Sequence, residues 1–188
     1  MEVLRQFISL VNPLSDNSWK MLSECCTLRR YNEGDFVLRQ GAIGTDLYFV
    51  KEGLLRNFYD KGHKEISEWF TFEKSFCFSI MSYFEGTPSY LAIQCLEDSE
   101  VISISGEGFM KLQKCNFEIA NFAFFLISRS LILSQQRMLS IQFETALQRY
   151  EKLLDEHPTI LHRVPLHYIA SYLGITPETL SRIRNQIH

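Results

Sequence analysis

The chain has 188 residues, a formal net charge of −3, 46% hydrophobic residues and 22% charged ones. That length accommodates one medium domain and a small one, and that composition excludes a disordered or collagen-like chain. The slight negative charge excludes a uniformly basic nucleic-acid binder, although a local basic field is enough for phosphate contact. The amino terminus, Met1-Glu2-Val3-Leu4-Arg5-Gln6, lacks the basic segment and apolar core of a secretory signal. No apolar run reads as long enough to span a bilayer, so a cytoplasmic location without membrane contact is expected. Cys25, Cys26, Cys77, Cys95 and Cys115 are odd in number and form no C-x-x-C pair. They read as packing thiols, with no disulfide framework, metal set or cofactor expected.

In chain order, residues 1–24 show helical spacing through Val3, Phe7, Ile8, Leu10 and Val11, then again through Trp19 and Leu22. Asn12-Pro13 separates two short helices. Residues 28–105 change period. Leu28-Arg29-Arg30-Tyr31 leads into a turn at Asn32-Glu33-Gly34-Asp35. Strands are predicted at Phe36–Arg39, Leu47–Val50, Leu54–Tyr59, Leu91–Cys95 and Glu100–Ile104, with Gly34, Gly41, Gly53 and Gly62 at the turns. Short strands with turn signals about every ten residues indicate a small antiparallel barrel or roll. From about Glu107 to Leu139 the helical period returns as one long segment, and Phe122, Phe124, Phe125, Leu126, Ile127, Leu131, Ile132 and Leu133 ask for partners on more than one face. One face can cover the roll and another can meet a second copy of the chain, the alternative being an intrachain core helix. A further amphipathic helix spans Ile141 to Glu156 and ends at His157-Pro158.

The stretch from Val164 to Arg184 has the physical requirements of a helix-turn-helix. Pro165 suits a first helical turn. Leu166, Ile169, Ala170 and Leu173 make one apolar stripe, with Ala170 small where a second helix crosses. Gly174 ends the first helix in the left-handed conformation and Ile175 plugs the corner. Thr176 caps the second helix, Pro177 opens it, and Leu180 and Ile183 turn inward. Glu178, Thr179, Ser181, Arg182 and Arg184-Asn185 are left to project outward. Arg182 can pair with a guanine edge and Glu178 can accept from a cytosine amino group. Thr176 and Thr179 suit phosphate or a thymine methyl, and Ser181 and Arg184 suit the DNA backbone. His167 and Tyr168 either touch phosphate or stay uncommitted. Residues 160–188 hold Arg163, Arg182 and Arg184 against Glu178, a locally basic end.

Tyr31-x-x-Gly34-Asp35-x-Val37-Leu38-x-Gln40-Gly41, Leu47-Tyr48-Phe49-Val50-x-x-Gly53-Leu54-Leu55-Arg56, the long helix, and Ile169-Ala170 through Arg184 together resemble the Crp/Fnr family of bacterial regulators, particularly short members common in the Bacteroidetes. The resemblance implies an α+β fold: an N-terminal antiparallel β-roll (a cupin-like double-stranded β-helix with N-terminal helices) over residues 1–105, a long dimerisation helix over 106–139, and a small helix-turn-helix domain over 140–188. It implies a homodimer on near-palindromic double-stranded DNA, with RNA polymerase as a further partner, and base contacts from Glu178, Thr179 and Arg182. Pro177 stands where some relatives carry arginine. Members that bind cyclic AMP use a Gly-Glu-Leu segment and a downstream Arg-Ser or Arg-Thr. Here Phe78-Ser79-Ile80 and Ser89-Tyr90 stand in those places. Without the arginine the cyclic phosphate loses its charge-assisted fork, so weak or no cyclic AMP binding is expected. The iron–sulfur members' cysteine cluster is not matched by Cys25-Cys26. The family usually continues into a β-hairpin wing. Either the wing is absent here or the sequence stops short of it.

The reading is therefore a transcription regulator with an altered effector pocket around Phe78, Ser79, Ile80, Ser89 and Tyr90, the effector itself being unidentified. That pocket either holds another small molecule or is filled by its own aromatics. The alternative is a stand-alone sensor or assembly module whose C-terminal helices only pack. No phosphate-binding glycine loop, nucleophile elbow or metal-ligand spacing supports an enzyme, and His63 with Glu65 reads as a solvated turn.

Overall fold

The structure is a computed structural model that describes residues 1–62 and 64–187, Ile187 through its backbone only. His63, and with it the pairing with Glu65, lies outside the described residues. Two helices open the chain, α1 (Glu2–Val11) and α2 (Asp16–Glu24). The Ser15 hydroxyl caps α2 by accepting from the Ser18 amide. The strands are β1 (Cys26–Tyr31), β2 (Phe36–Leu38), β3 (Leu47–Glu52), β4 (Leu55–Asp60), β5 (Glu65–Thr71), β6 (Phe76–Cys77), β7 (Ala92–Cys95) and β8 (Ser99–Ile104), with α3 (Ile80–Glu85) after β6. Among the described residues they form two four-stranded sheets, ordered β1-β8-β3-β6 and β2-β7-β4-β5, paired antiparallel. The expected roll is thus present. β1, β5 and β6 were not expected as strands. β1 is exposed along most of its length and β6 is two residues long, so neither carries an alternating apolar signal.

Alternation along the strands sends side chains into two cores. Tyr48, Val50, Leu55, Ile93, Cys95 and Val101 pack between the sheets. Leu47, Phe49, Ile102 and Ile104 point the other way, to helices α1, α2, α4 (Gly106–Gln113) and α5 (Phe117–Phe143). Phe49 lies 5.5 Å from Phe7 and 5.0 Å from Phe76, ring centre to ring centre.

The single helix expected over 107–139 is two helices. α4 ends at Gln113, and Asn116 starts α5 by accepting the Ile119 amide at 3.1 Å, while its own side-chain amide donates to Ser18 at 2.9 Å. An asparagine that can cap and also reach α2 stabilises a break that helical periodicity alone does not reveal. α5 then runs past Leu139 to Phe143, roughly 40 Å in all. By length and composition α5 is apolar enough to cross a membrane, which corrects the expectation that no apolar run reaches that length. Its N-terminal half buries Ile119, Phe122, Ala123 and Leu126 against the roll.

Helices α6 (Ala146–Glu156), α7 (Ile160–Arg163), α8 (Leu166–Leu173) and α9 (Pro177–Ile187) finish the chain. Thr145 and Gln148 form a capping box at α6. Leu54 and Phe70 of the roll share one apolar cluster with Tyr150, Leu153, Ile160, Ile169, Leu173, Leu180 and Ile183, so these helices pack directly on the sheet that ends in β5.

Candidate nucleic-acid interface

Helix α8 stops because Gly174 adopts φ 70°, a left-handed conformation that a β-carbon would strain, and its amide returns to the Ser171 carbonyl. Ile175 donates to the Ala170 carbonyl, closing the corner. The Thr176 hydroxyl accepts the Thr179 amide at 3.2 Å and so caps α9. Leu180 and Ile183 are buried against Ile169, Ala170 and Leu173. This spacing leaves Thr176, Glu178, Ser181 and Arg182 exposed along one side of α9. Thr179 is half-buried, and its hydroxyl lies 3.2 Å from that of Thr176 and accepts from Arg182 at 3.3 Å. The structure therefore brings Thr176, Thr179 and Arg182 into one small polar group at the start of α9. The hydrogen bond from Thr176 is the main influence holding the Glu178 carboxyl below its ordinary range, so the group is an acceptor.

Two basic residues sit differently from the sequence reading. Arg184 is half-buried, and its Nε is enclosed with no hydrogen-bond partner among the described residues, so it does not project freely. Arg163 is neutralised: its guanidinium forks to Glu73 and Glu97 of the roll. The exposed cations of this face are fewer than the sequence count suggests. His167 is exposed, with its ring 4.0 Å from that of Tyr168.

The turn between α8 and α9 is held from behind. Arg137 of α5 donates to the Tyr172 carbonyl at 2.7 Å and stacks on the Tyr172 ring at 3.9 Å. Arg149 of α6 donates to the Leu173 carbonyl at 2.9 and 3.1 Å. Two cations thus meet the carbonyl end of α8, where the helix dipole is negative. On the other side the Ser67 amide of β5 donates to the Ser171 hydroxyl at 2.9 Å, and that hydroxyl donates to the Glu65 carbonyl at 3.1 Å. Arg56 is fully buried between the rings of Phe58 and Tyr168, bonded to Ser67 and Glu65. Sequence reasoning missed Arg56, Arg137 and Arg149. Arg137 and Arg149 meet backbone carbonyls of α8, and Arg56, although it closes the Leu47–Arg56 block, meets side chains of β4, β5 and α8, so spacing in the sequence assigns none of these roles. Two cavities of about 480 Å³ and about 330 Å³ lie along this junction.

At the expected effector pocket the structure joins two of five residues. Ser79 and Ser89 are buried; the Ser89 hydroxyl donates to the Leu91 carbonyl at 2.7 Å and lies 2.9 Å from the Ser79 hydroxyl, from which it can accept. Phe78 packs edge-on against Tyr83 at 5.6 Å. Ile80 and Tyr90 are exposed, and the Tyr90 hydroxyl is spent on Glu68. Burial pushes the Cys26 and Cys77 thiols up to about 12, which disfavours the reactive thiolate.

A roll of two antiparallel sheets followed by a long helix defines the class. Residues 28–116, most of the roll and the helix after it, match the cyclic nucleotide-binding domain family. The chain has the fold of the Crp/Fnr family of transcription regulators, to which its structural neighbours belong. FixK2 from Bradyrhizobium japonicum superposes with TM-score 0.75 at 19% identity, over 87% of this chain and 84% of that one. CLP of Xanthomonas campestris, a c-di-GMP-responsive global regulator, gives 0.72 at 15% identity, over 92% and 91%. A Crp/Fnr protein from Eubacterium rectale gives 0.72 at 20% identity, over 92% and 83%. No curated protein matches the sequence.

Proposed function

We propose that the chain is a sequence-specific DNA-binding regulator acting as a cytoplasmic homodimer, with α8 and α9 as its helix-turn-helix and an altered effector pocket in its roll. The observation that carries this reading is the polar face of α9. Arg182, Glu178 and Ser181 stand exposed beside the Thr176–Thr179 pair, on a helix whose opposite side is anchored by Leu180 and Ile183. A recognition helix needs this division: an anchored back, and a front whose donors and acceptors reach base edges.

Dimerisation is supported by α5. Phe117, Phe124, Leu131 and Met138 recur every seven residues, and Ala120, Ile127, Ser134 and Ile141 recur three residues after each. The large members of this stripe are between 40% and 79% exposed in the single chain. A heptad seam of that kind covers itself against a second helix. An altered effector pocket is supported by Ser79 and Ser89, which satisfy one another where a cyclic phosphate and ribose would need a cation and a carboxylate.

The test is selection of genomic fragments on the purified protein beside Arg182→Ala. Enrichment of a two-fold symmetric site, with base preference relaxed in the variant, is the expected result. No enrichment at any salt concentration, from low upward, would leave the sensor or assembly reading in its place.

A further inference from the structure

We propose that Arg163, which lies outside the recognition helix, is a positioning residue for DNA recognition: its clamp on Glu73 and Glu97 fixes the angle of the helix pair on the roll and so the spacing of half-sites the dimer accepts. The inference rests on the DNA-binding reading above.

Helix α8 is tied down along its length. Its carbonyl end is bonded by Arg137 and Arg149, and Ser171 meets the edge of β5. Just ahead of its first turn, Arg163 closes α7 onto two separate turns of the roll. Its Nη1 and Nη2 donate to Glu73 at 3.2 and 2.6 Å, and its Nε and Nη2 donate to Glu97 at 3.2 and 2.5 Å. The Arg163 side chain is only 22% exposed, and His157 stacks on neighbouring Phe72 at 3.8 Å and 10°. The apolar cluster containing Leu54 and Phe70 would hold the helices on the roll without any of this. Burial is non-directional, however, and permits sliding and rotation. A planar guanidinium forked to two carboxylates does not, because each bond has its own direction. The clamp at one end of α8, with the Ser171 bonds to β5 near the other, therefore sets angle where the cluster sets attachment. In a dimer joined through α5, that angle determines where the two copies of α9 point, and hence their separation along DNA.

The experiment compares wild type, Arg163→Gln and Glu97→Gln on a duplex selected from random-sequence DNA, and on the same duplex with one base pair inserted at its centre. The insertion moves one half-site by roughly 3.4 Å and about 35°. Wild type is expected to lose roughly tenfold or more in affinity. Arg163→Gln is expected to bind the parent duplex nearly as well as wild type and to lose less than about threefold on the insertion, with Glu97→Gln between them. Equal losses in all three proteins overturn the proposal. Amide hydrogen exchange without DNA gives the second arm: faster exchange in β5 and α8 of Arg163→Gln, with β3 and β8 unchanged, is expected. Unchanged exchange there refutes the clamp. If wild type selects no duplex at all, the DNA-binding reading has failed, and the exchange result still judges the clamp by itself.

Discussion

Ser79 and Ser89, at the proposed effector pocket, bond to one another. Each buried hydroxyl is satisfied within the roll, so neither is left waiting for a ligand. A cyclic nucleotide would have to break that pairing and bury its phosphate charge where Ser89-Tyr90 supplies no arginine, which is costly. Calorimetry with cyclic AMP is expected to give no measurable heat up to millimolar ligand, and micromolar affinity would contradict this. Gly174 makes a simpler case. Its φ of 70° costs an L-residue about 1 kcal/mol, and open space surrounds the position of a β-carbon. Gly174→Ala is therefore expected to lower stability by about 1 kcal/mol in chemical unfolding, through backbone strain alone. A loss several times larger would mean a packing clash that the structure does not contain.

At the scale of elements, α5 presents two apolar stripes on opposite sides. Ile119, Phe122, Ala123 and Leu126 close the roll, while the Phe124–Leu131–Met138 stripe remains open. Helical periodicity in the sequence contained both stripes superimposed, which is why it indicated a helix with more than one buried face without assigning residues to each. Placing a charge in the open stripe tests the division. Leu131→Glu is expected to give a monomer by sedimentation with the roll still folded, because a desolvated glutamate opposite its own copy is strongly unfavourable. An unchanged mass, or an unfolded chain, would argue that this face is not the dimer seam. The interruption at Asn116 was illegible for a related reason. An asparagine within a helical pattern is only a weak break signal, and its stabilising partner, Ser18, lies 98 positions earlier.

For the whole molecule, the junction between roll and C-terminal helices carries an ionic component that titrates. Burial works against an ionised Glu73, but hydrogen bonds from Arg163 and from backbone amides outweigh it and hold the carboxyl below its ordinary range. A depressed folded value means that this contribution is complete above the unfolded value, near 4.3, and is lost as pH falls through the folded one. The stability difference between wild type and Arg163→Gln is thus expected to be constant from pH 8 to about 5 and to shrink toward pH 3. A difference that stays constant to pH 3 would mean that the clamp contributes through packing and not through charge.

Local chemistry alone determined the parts. Gly174, Thr176 and Pro177 specify a helix, a turn and a second helix, since capping and left-handed backbone are decided within a few residues. Short apolar runs with glycine turns about every ten residues specified a roll, and Leu180 and Ile183 were legible as anchors from spacing. Tertiary structure decided what each charge is for. Arg163, Arg182 and Arg184 look alike in a sequence. Only the fold puts Glu73 and Glu97 around the first, leaves the second in solvent and half-encloses the third, because a charge acquires its role from groups brought near it by chain segments up to 90 residues away.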